Sequence, residues 1–249
     1  MGDQMTRLLE EMTWDEVELL SGAGATVVVP VGTVEQHGLH LPLGTDTHII
    51  YETLKRLPEE HNIVIAPPIW YAYCSPTDPK YAGHITVTPD ILYVYLLHVC
   101  TGLVSSGFRC VMIVFDHWPN SEASKLVAQN IINASPHVRV AVVNLWVLVW
   151  DALAAFNDPG YHADSRETSL VSELRPDLLR PNGMMDDLPE LSIGYDLWPK
   201  PSECRTRSGV RGLPSLMSRR RGTNLADTAR TRLLTVISQL VAEDLTEDP

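Results

Sequence analysis

The sequence predicts an α/β fold, a single domain over residues 1–249 with a mostly parallel sheet and helices on both faces. Three observations lead to this prediction. Short apolar runs of strand length recur along the chain, stretches of helix length follow them, and polar loops rich in glycine and proline lie between them. Such strand–loop–helix units build parallel sheets that are covered on both sides. A chain of 249 residues suits one large domain of this kind.

The predicted elements alternate along the chain after a helical start. Thr13 is a candidate N-cap because Glu16 follows three residues later, as in a capping box. Asp46 is expected at the N-terminus of the helix that follows the first strand. In chain order the predictions are helix 6–20, strand 25–31, helix 47–56, strand 62–67, helix 88–106, strand 110–115, helix 121–135, strand 138–149, helix 170–174 and closing helix 224–245.

Composition excludes several classes of protein. The net charge of −12 disfavours a nucleic-acid partner, which requires clustered Lys and Arg. The chain has no apolar run of ~18 residues, so we expect no membrane span, and its start has no signal-peptide core. The cysteines are scattered without a CxxC pair, which favours reduced thiols and a cytoplasmic protein. These are Cys74, Cys100, Cys110 and Cys204.

A stretch of polar residues follows the first predicted strand. The segment from Val27 to Asp46 reads VVVPVGTVEQHGLHLPLGTD and brings Glu35, His37 and His40 close together in sequence. Its glycines and prolines indicate a turn-rich loop rather than a helix. Carboxylate and imidazole groups suit a divalent ion such as zinc or manganese, and ligands in α/β folds bind beyond the carboxyl ends of strands.

Two further clusters occupy equivalent places. Phe115-Asp116-His117-Trp118-Pro119-Asn120 follows the third strand. Tyr161-His162-Ala163-Asp164-Ser165-Arg166-Glu167-Thr168-Ser169 leads into a helix. Because the carboxyl ends of parallel strands meet at one edge of a sheet, we expect the three clusters to converge on one site.

The wording of these segments resembles the creatininase (creatinine amidohydrolase) family. Pro30 to Asp46 is similar to its first motif, PvGs.EqHGpHLPlgtD, and the second and third clusters resemble its NGHGGN and HaGe.ETS motifs. Gly209 to Ser215 resembles a later GV.GdP piece. The resemblance implies a three-layer sandwich that holds two divalent ions (zinc, manganese or iron). It implies the metal ligands Glu35, His37, Asp46 and His117, with the Asp bridging the ions.

The chain departs from the family pattern in the second motif. Creatininases proper carry an aromatic residue and then a metal-binding Glu where this chain has Trp118 and Pro119, and proline cannot ligate. Glu167 is therefore our candidate for the remaining metal ligand, and Glu122 is the alternative. These departures predict a divergent family member rather than a standard creatininase.

The expected reaction is hydrolysis of a C–N bond in a small cyclic amide or amidine by a metal-activated water. His162 is the expected proton donor to the leaving nitrogen, with Glu167 beside the metal centre. Two alternatives remain open: a lyase or isomerase on the same scaffold, and a non-catalytic homologue that has lost its second metal. The resemblance further implies a small-molecule substrate and a homo-oligomer, often a hexamer. The expected substrate-binding residues are Trp118, Asp116, Tyr73, Asp78 and His84, with Trp70 and Trp146 as further aromatic wall candidates.

Overall fold

Five parallel strands form one sheet in the order β1-β3-β2-β4-β5. The computed structural model describes residues 7–58, 61–74, 81–188 and 206–242. The predicted site residue Asp78 lies outside these ranges, as does Cys204. The strands are β1 Arg7–Leu8, β2 Thr26–Val31, β3 Ile63–Ile65, β4 Cys110–Phe115 and β5 Arg139–Asn144.

Eight α-helices connect or cover these strands within the described residues, together with several short 3₁₀ turns. The N–H of Thr13 donates to the Glu16 carboxylate over 2.7 Å, so the predicted capping box is confirmed. The helices are α1 Trp14–Gly22, α2 Thr45–Lys55, α3 Pro89–Ser105, α4 Ser121–Ala134, α5 Leu145–Leu148, α6 Trp150–Leu153, α7 Ser165–Leu174 and α8 Arg219–Ala242.

The three predicted layers are present. Alternate residues of the central strands point to opposite faces of the sheet, so Val28 and Val27 enter different cores. One core contains apolar residues of α2, α7 and α8, and the other contains residues of α3 and α4. The α/β fold with helices on both faces is therefore confirmed.

Two predicted elements were wrong in type over part of their length. Residues 6–20 do not form one helix, because Arg7 and Leu8 pair with β3 as a short edge strand and α1 begins at Trp14. The strand predicted for 138–149 ends at Asn144, whose side chain accepts a hydrogen bond from the N–H of Val147 and caps α5. An apolar run alone does not distinguish a strand from a buried helix. None of the described helices has the length and apolar character needed to cross a bilayer.

Candidate metal centre

The three polar clusters meet at one edge of the sheet. The last residues of β2 and β4, Val31 and Phe115, are paired in register, and Phe115 is paired with Asn144 at the end of β5. The loops that follow β2 and β4 therefore start side by side. Backbone pairing between His162 and Arg211 fixes the third cluster.

The loop after β2 is shaped by close contacts that require glycine. A Cβ atom on Gly32 would lie 2.6 Å from the Cα of Thr47, so glycine allows the loop to pass against the start of α2. Gly38 has a φ of +66°, and a Cβ there would lie 2.6 Å from a methyl group of Val210. Glycine at these two places permits the sharp turn that directs the side chains of Glu35 and His37 inward.

His37 is oriented by its own loop. Its Nδ1 lies 3.0 Å from the backbone oxygen of Glu35, so Nδ1–H donates there and Nε2 is directed into the site. That Nε2 lies 3.0 Å from Oδ1 of Asp46 and 3.8 Å from Oε2 of Glu167. A backbone acceptor behind the ring is the usual support of a metal-binding histidine.

Asp46 joins the loop after β2 to the loop after β4. It lies in the first turn of α2, as predicted, and its Oδ1 faces His37. Its Oδ2 lies 3.5 Å from Nδ1 of His117, and the same nitrogen lies 3.0 Å from Oε2 of Glu35. The hydroxyl of Thr33 also donates to Oδ2. The two oxygens of one carboxylate thus face two imidazoles from different loops, which is the arrangement that a bridging ligand requires.

Glu167 approaches the same place from α7. Asp164 caps this helix by accepting hydrogen bonds from the N–H groups of Arg166 and Glu167, so the Glu167 side chain is free to face the site. Its Oε2 accepts a hydrogen bond of 2.6 Å from the N–H of Ala163. Burial raises the pKa of Glu167 to about 8, with Asp164 and Asp46 adding to the shift and His37 opposing it.

The donor set fits divalent ions. Glu35, His37, Asp46 and Glu167 are each less than a tenth exposed. Although burial disfavours the charged imidazole, the Asp46 and Glu167 carboxylates raise the pKa of His37 to about 10. Donor atoms of different residues lie 3.0–3.8 Å apart. Ligands that share one ion at ~2.1 Å are spaced by about 3.4 Å, so these atoms need little movement to bind metal.

His162 lies beside His37, with ring centroids 4.5 Å apart. Its Nε2 is 2.7 Å from the backbone oxygen of Gln36, a distance at which the neutral ring donates its proton. Burial, with the nearby His37 and Arg211, lowers the pKa of His162 well below its usual range. The imidazole is therefore neutral at pH 7.

Two residues lie nearer to the candidate ligands than the sequence indicates. Cys74 was expected only as a reduced thiol, yet its sulfur lies within 4.8 Å of ligand atoms of Glu35 and His117. Burial and the charges of Glu35 and Asp46 raise the pKa of the Cys74 thiol. Asp116 was predicted to bind substrate, and it lies in the site with its pKa raised by burial, Asp46 and Glu167. Sequence spacing carries no signal for Cys74, which belongs to a different loop.

A cavity of ≈380 Å³ opens onto these residues, and Trp118, Asp116 and Trp146 contribute to its lining as predicted. Tyr73 and His84 are not among the described residues that line it, so their assignment as substrate-binding residues stays a prediction. Tyr73 packs against the core under α3 instead. The cavity is lined by Glu35, Asp46, Asp116, His117, Trp118, Pro119, Trp146, Trp150, Leu153, Tyr161, His162, Asp164, Arg166, Glu167 and Arg211.

Three other residues are placed away from the cavity or the ligands. Trp70 lines a separate groove with Tyr95, so it is not a wall of this cavity. Glu122, the alternative ligand, is exposed in the first turn of α4 and outside the cavity lining. The ring of His40 lies 3.0 Å from the hydroxyl of Thr168, which gives this buried imidazole a packing role.

The family model described as "Creatinine amidohydrolase" matches residues 10–237. The chain belongs to the creatininase family. A creatinine amidohydrolase from Pseudomonas putida is 27% identical over 207 residues, which cover 76% of this chain and 80% of the relative. A mycofactocin precursor peptide peptidase from Mycolicibacterium smegmatis is 45% identical over 160 residues, which cover 61% of this chain and 58% of the relative. With hydrolases as its named relatives, this creatininase-family member is a hydrolase.

Solved structures agree on the fold. A creatininase crystal structure superposes with a TM-score of 0.84 at 23% identity and covers 96% of this chain and 99% of its own. Among the other similar creatininase structures, one is a manganese form and one a zinc–zinc form. At this identity the structures establish the architecture of this chain.

Proposed function

We propose that this hydrolase cleaves the C–N bond of an amide with a metal-activated water. The observation that carries the proposal is the position of Asp46, whose two oxygens face His37 on one side and His117 on the other. In this arrangement Glu35, His117 and Asp46 hold one divalent ion. His37, Asp46 and Glu167 hold the second. Zinc, manganese and iron are the candidate metals for these nitrogen and oxygen donors.

Ions held by these residues would supply a coordinated water of lowered pKa and would polarise the carbonyl of a bound amide. His162, neutral at pH 7, accepts the proton that the attacking water loses and then donates it to the leaving nitrogen. The backbone oxygen of Gln36 holds the ring in place during this transfer. His162 is thus a proton shuttle, which refines the expectation of a simple acid.

Two substrate classes suit the cavity. A small cyclic amide or amidine was expected from the sequence, and the flat faces of Trp118 and Trp146 suit a ring. A peptide amide is the second candidate, and two observations favour it. The cavity of ≈380 Å³ is in the range that holds drug-sized ligands, which are larger than one small ring. The relative with 45% identity is named a peptide peptidase.

The family resemblance also supports a homo-oligomer, with a hexamer as the specific proposal, and the scattered cysteines without a CxxC pair support a cytoplasmic location. We propose one catalytic domain over residues 1–249. Light scattering coupled to size-exclusion chromatography measures the mass of the assembly.

The reaction is tested on wild-type protein with creatinine, a series of five- and six-membered lactams, and short linear peptides in ¹⁸O-labelled water. Mass spectrometry of the products is expected to show gain of one labelled water by one of these probes. The activity is expected to disappear after chelation with EDTA and to return with zinc, manganese or iron. Turnover that is unchanged by EDTA contradicts the proposal. Products without added water indicate a lyase or isomerase instead.

A further inference from the structure

Asp116 is a buried carboxylate that the mechanism above does not use. It follows β4 directly and is 3% exposed. Neither of its oxygens has a hydrogen-bond partner among the described residues. Asp164, which is 2% exposed, has the opposite surroundings, since it accepts hydrogen bonds from its own helix and pairs with Arg166. Burial disfavours a charged carboxylate that has no donor or cation beside it, and none of the described residues donates to Asp116, so its oxygens are open to a bound cation.

The position of Asp116 indicates what that partner is. Its carboxylate lines the cavity with the proposed ligands. Asp46 and Glu167 line the same cavity, and His117 follows Asp116 directly in the chain. Asp116 is therefore placed among the side chains that would hold the metal.

The second set of ligands has room for a further member. Each set contains one contact of 3.0 Å, and the other contact is 3.5 Å in the first set and 3.8 Å in the second. The Glu167 oxygen that faces His37 also accepts a hydrogen bond from the N–H of Ala163. The two unpartnered oxygens of Asp116 can complete the set.

We propose that Asp116 is a ligand of the second divalent ion, alongside His37, Asp46 and Glu167. The assignment rests on the proposed two-ion function and adds a residue to it. It also explains how a chain with Pro119, which has no donor atom in its side chain, retains a complete second set. Glu122 cannot fill this role from its exposed position in the first turn of α4.

The test compares Asp116→Asn, which keeps the shape and removes the charge, with Glu122→Gln as a matched control on a nearby exposed acid. Each full-length protein is stripped with EDTA, loaded with manganese and freed of excess metal. Plasma mass spectrometry then gives the ions per chain. We expect two ions in wild type and in Glu122→Gln and one in Asp116→Asn, with second-site affinity at least about a hundredfold weaker.

Electron paramagnetic resonance gives an independent readout on the same samples. Two neighbouring Mn²⁺ ions produce an exchange-coupled spectrum, whereas one gives the six-line signal of an isolated ion. We expect the coupled spectrum for wild type and the six-line signal for Asp116→Asn. Asp116→Ala is prepared in parallel, and unfolding temperatures in EDTA confirm that either variant is folded. Neither substitution removes a hydrogen bond between Asp116 and a described residue, so these temperatures should stay close to that of wild type.

The outcomes separate the ligand assignment from the proposed function. Two ions and a coupled spectrum in both Asp116 variants overturn the assignment and leave the proposed function intact. The same holds if the variants keep two ions and only KM rises, which indicates a substrate contact. A wild type that binds no divalent ion overturns the two-ion function, and the assignment with it.

Discussion

The loops that follow β2 and β4 begin at paired residues of adjacent strands, yet they differ in what the sequence discloses. The loop after β2 carries the longest motif match, and it brings Glu35, His37 and Asp46 together with His117. The loop after β4 keeps His117 and departs around it, with Asp116 before and Pro119 after. The edge of the sheet therefore determines where candidate ligands lie. The residue type that supplies a ligand at this edge can differ between loops.

The largest effects should come from removing one histidine of each loop. His37→Ala and His117→Ala are each expected to lose one ion and to lower kcat about a thousandfold or more, because a bound metal contributes several kcal/mol to the transition state. Metal analysis and steady-state kinetics check this. His98→Ala, on the exposed side of α3, is the control. If either variant keeps both ions, the assignment of that histidine as a metal ligand is wrong.

Replacing His162 tests a residue that belongs to neither loop. His162→Gln is expected to lower kcat by about 10²–10⁴-fold with the metal content unchanged, since it removes proton transfer and no ligand. The pH profile of kcat should flatten in this variant. Loss of an ion from His162→Gln would show instead that this imidazole binds metal.

The pH dependence of metal binding tests the protonation states of His37 in the loop after β2 and of Glu167 in α7. In the metal-free protein the pKa of His37 is raised to about 10 and that of Glu167 to about 8, so both groups hold a proton at pH 7. Ions displace these protons, and each proton released makes affinity rise about tenfold per pH unit. Calorimetry in buffers of different ionisation enthalpy measures the release. Binding without proton release at pH 7 would contradict the charge states.

The same groups set the stability of the metal-free protein. The ion pair of protonated His37 with Asp46 stabilises the fold fully below pH 6.5, and this contribution is lost as the pH rises through about 10. The raised pKa of Glu167 acts in the same direction between pH 4.5 and about 8. Unfolding temperatures in EDTA are therefore expected to fall from pH 7 to pH 9. His37→Ala should show a smaller fall, and an equal fall would exclude this pair as the cause.

The smallest effect concerns the cavity wall beyond the loop after β4. Trp118 is 64% exposed and lines the cavity, so Trp118→Ala should raise KM about tenfold and leave kcat and metal content near wild type. Trp14→Ala, at a tryptophan that is 79% exposed on α1 and outside the cavity lining, is the control. A large fall in kcat for Trp118→Ala would place this side chain in the chemistry rather than in binding.

The sequence predicted β2, β3 and β4 because each is an apolar run that is buried on both faces of the sheet. It predicted β5 from the apolar residues 140–143, although this edge strand is mostly half-buried. It missed β1 because two residues at a sheet edge leave no pattern. It extended β5 too far because apolar residues resume directly after Asn144 in α5. Local periodicity determines such elements only where tertiary contacts do not override it.

The proposed ligands could be named from sequence where they stand in one loop, as Glu35 and His37 do, or match a motif, as His117 does. The places of Cys74 near the ligands and of Arg211 in the cavity lining could not be predicted from sequence. Both residues reach the site through contacts between segments that are far apart in the chain. The carboxylate oxygens of Asp116 lack partners only in three dimensions, so their role as ligands rather than substrate contacts follows from burial and not from spacing.

The central claim is that the carboxylate of Asp46 would be shared by two ions. The other ligands of these ions come from the loops after β2 and β4 and from α7. The most direct measurement is the number of metal ions per chain in Asp46→Ala, with Asp90→Ala on the exposed start of α3 as the control. The account predicts two ions per chain in wild type and in Asp90→Ala and none in Asp46→Ala. Two ions retained in Asp46→Ala would contradict it.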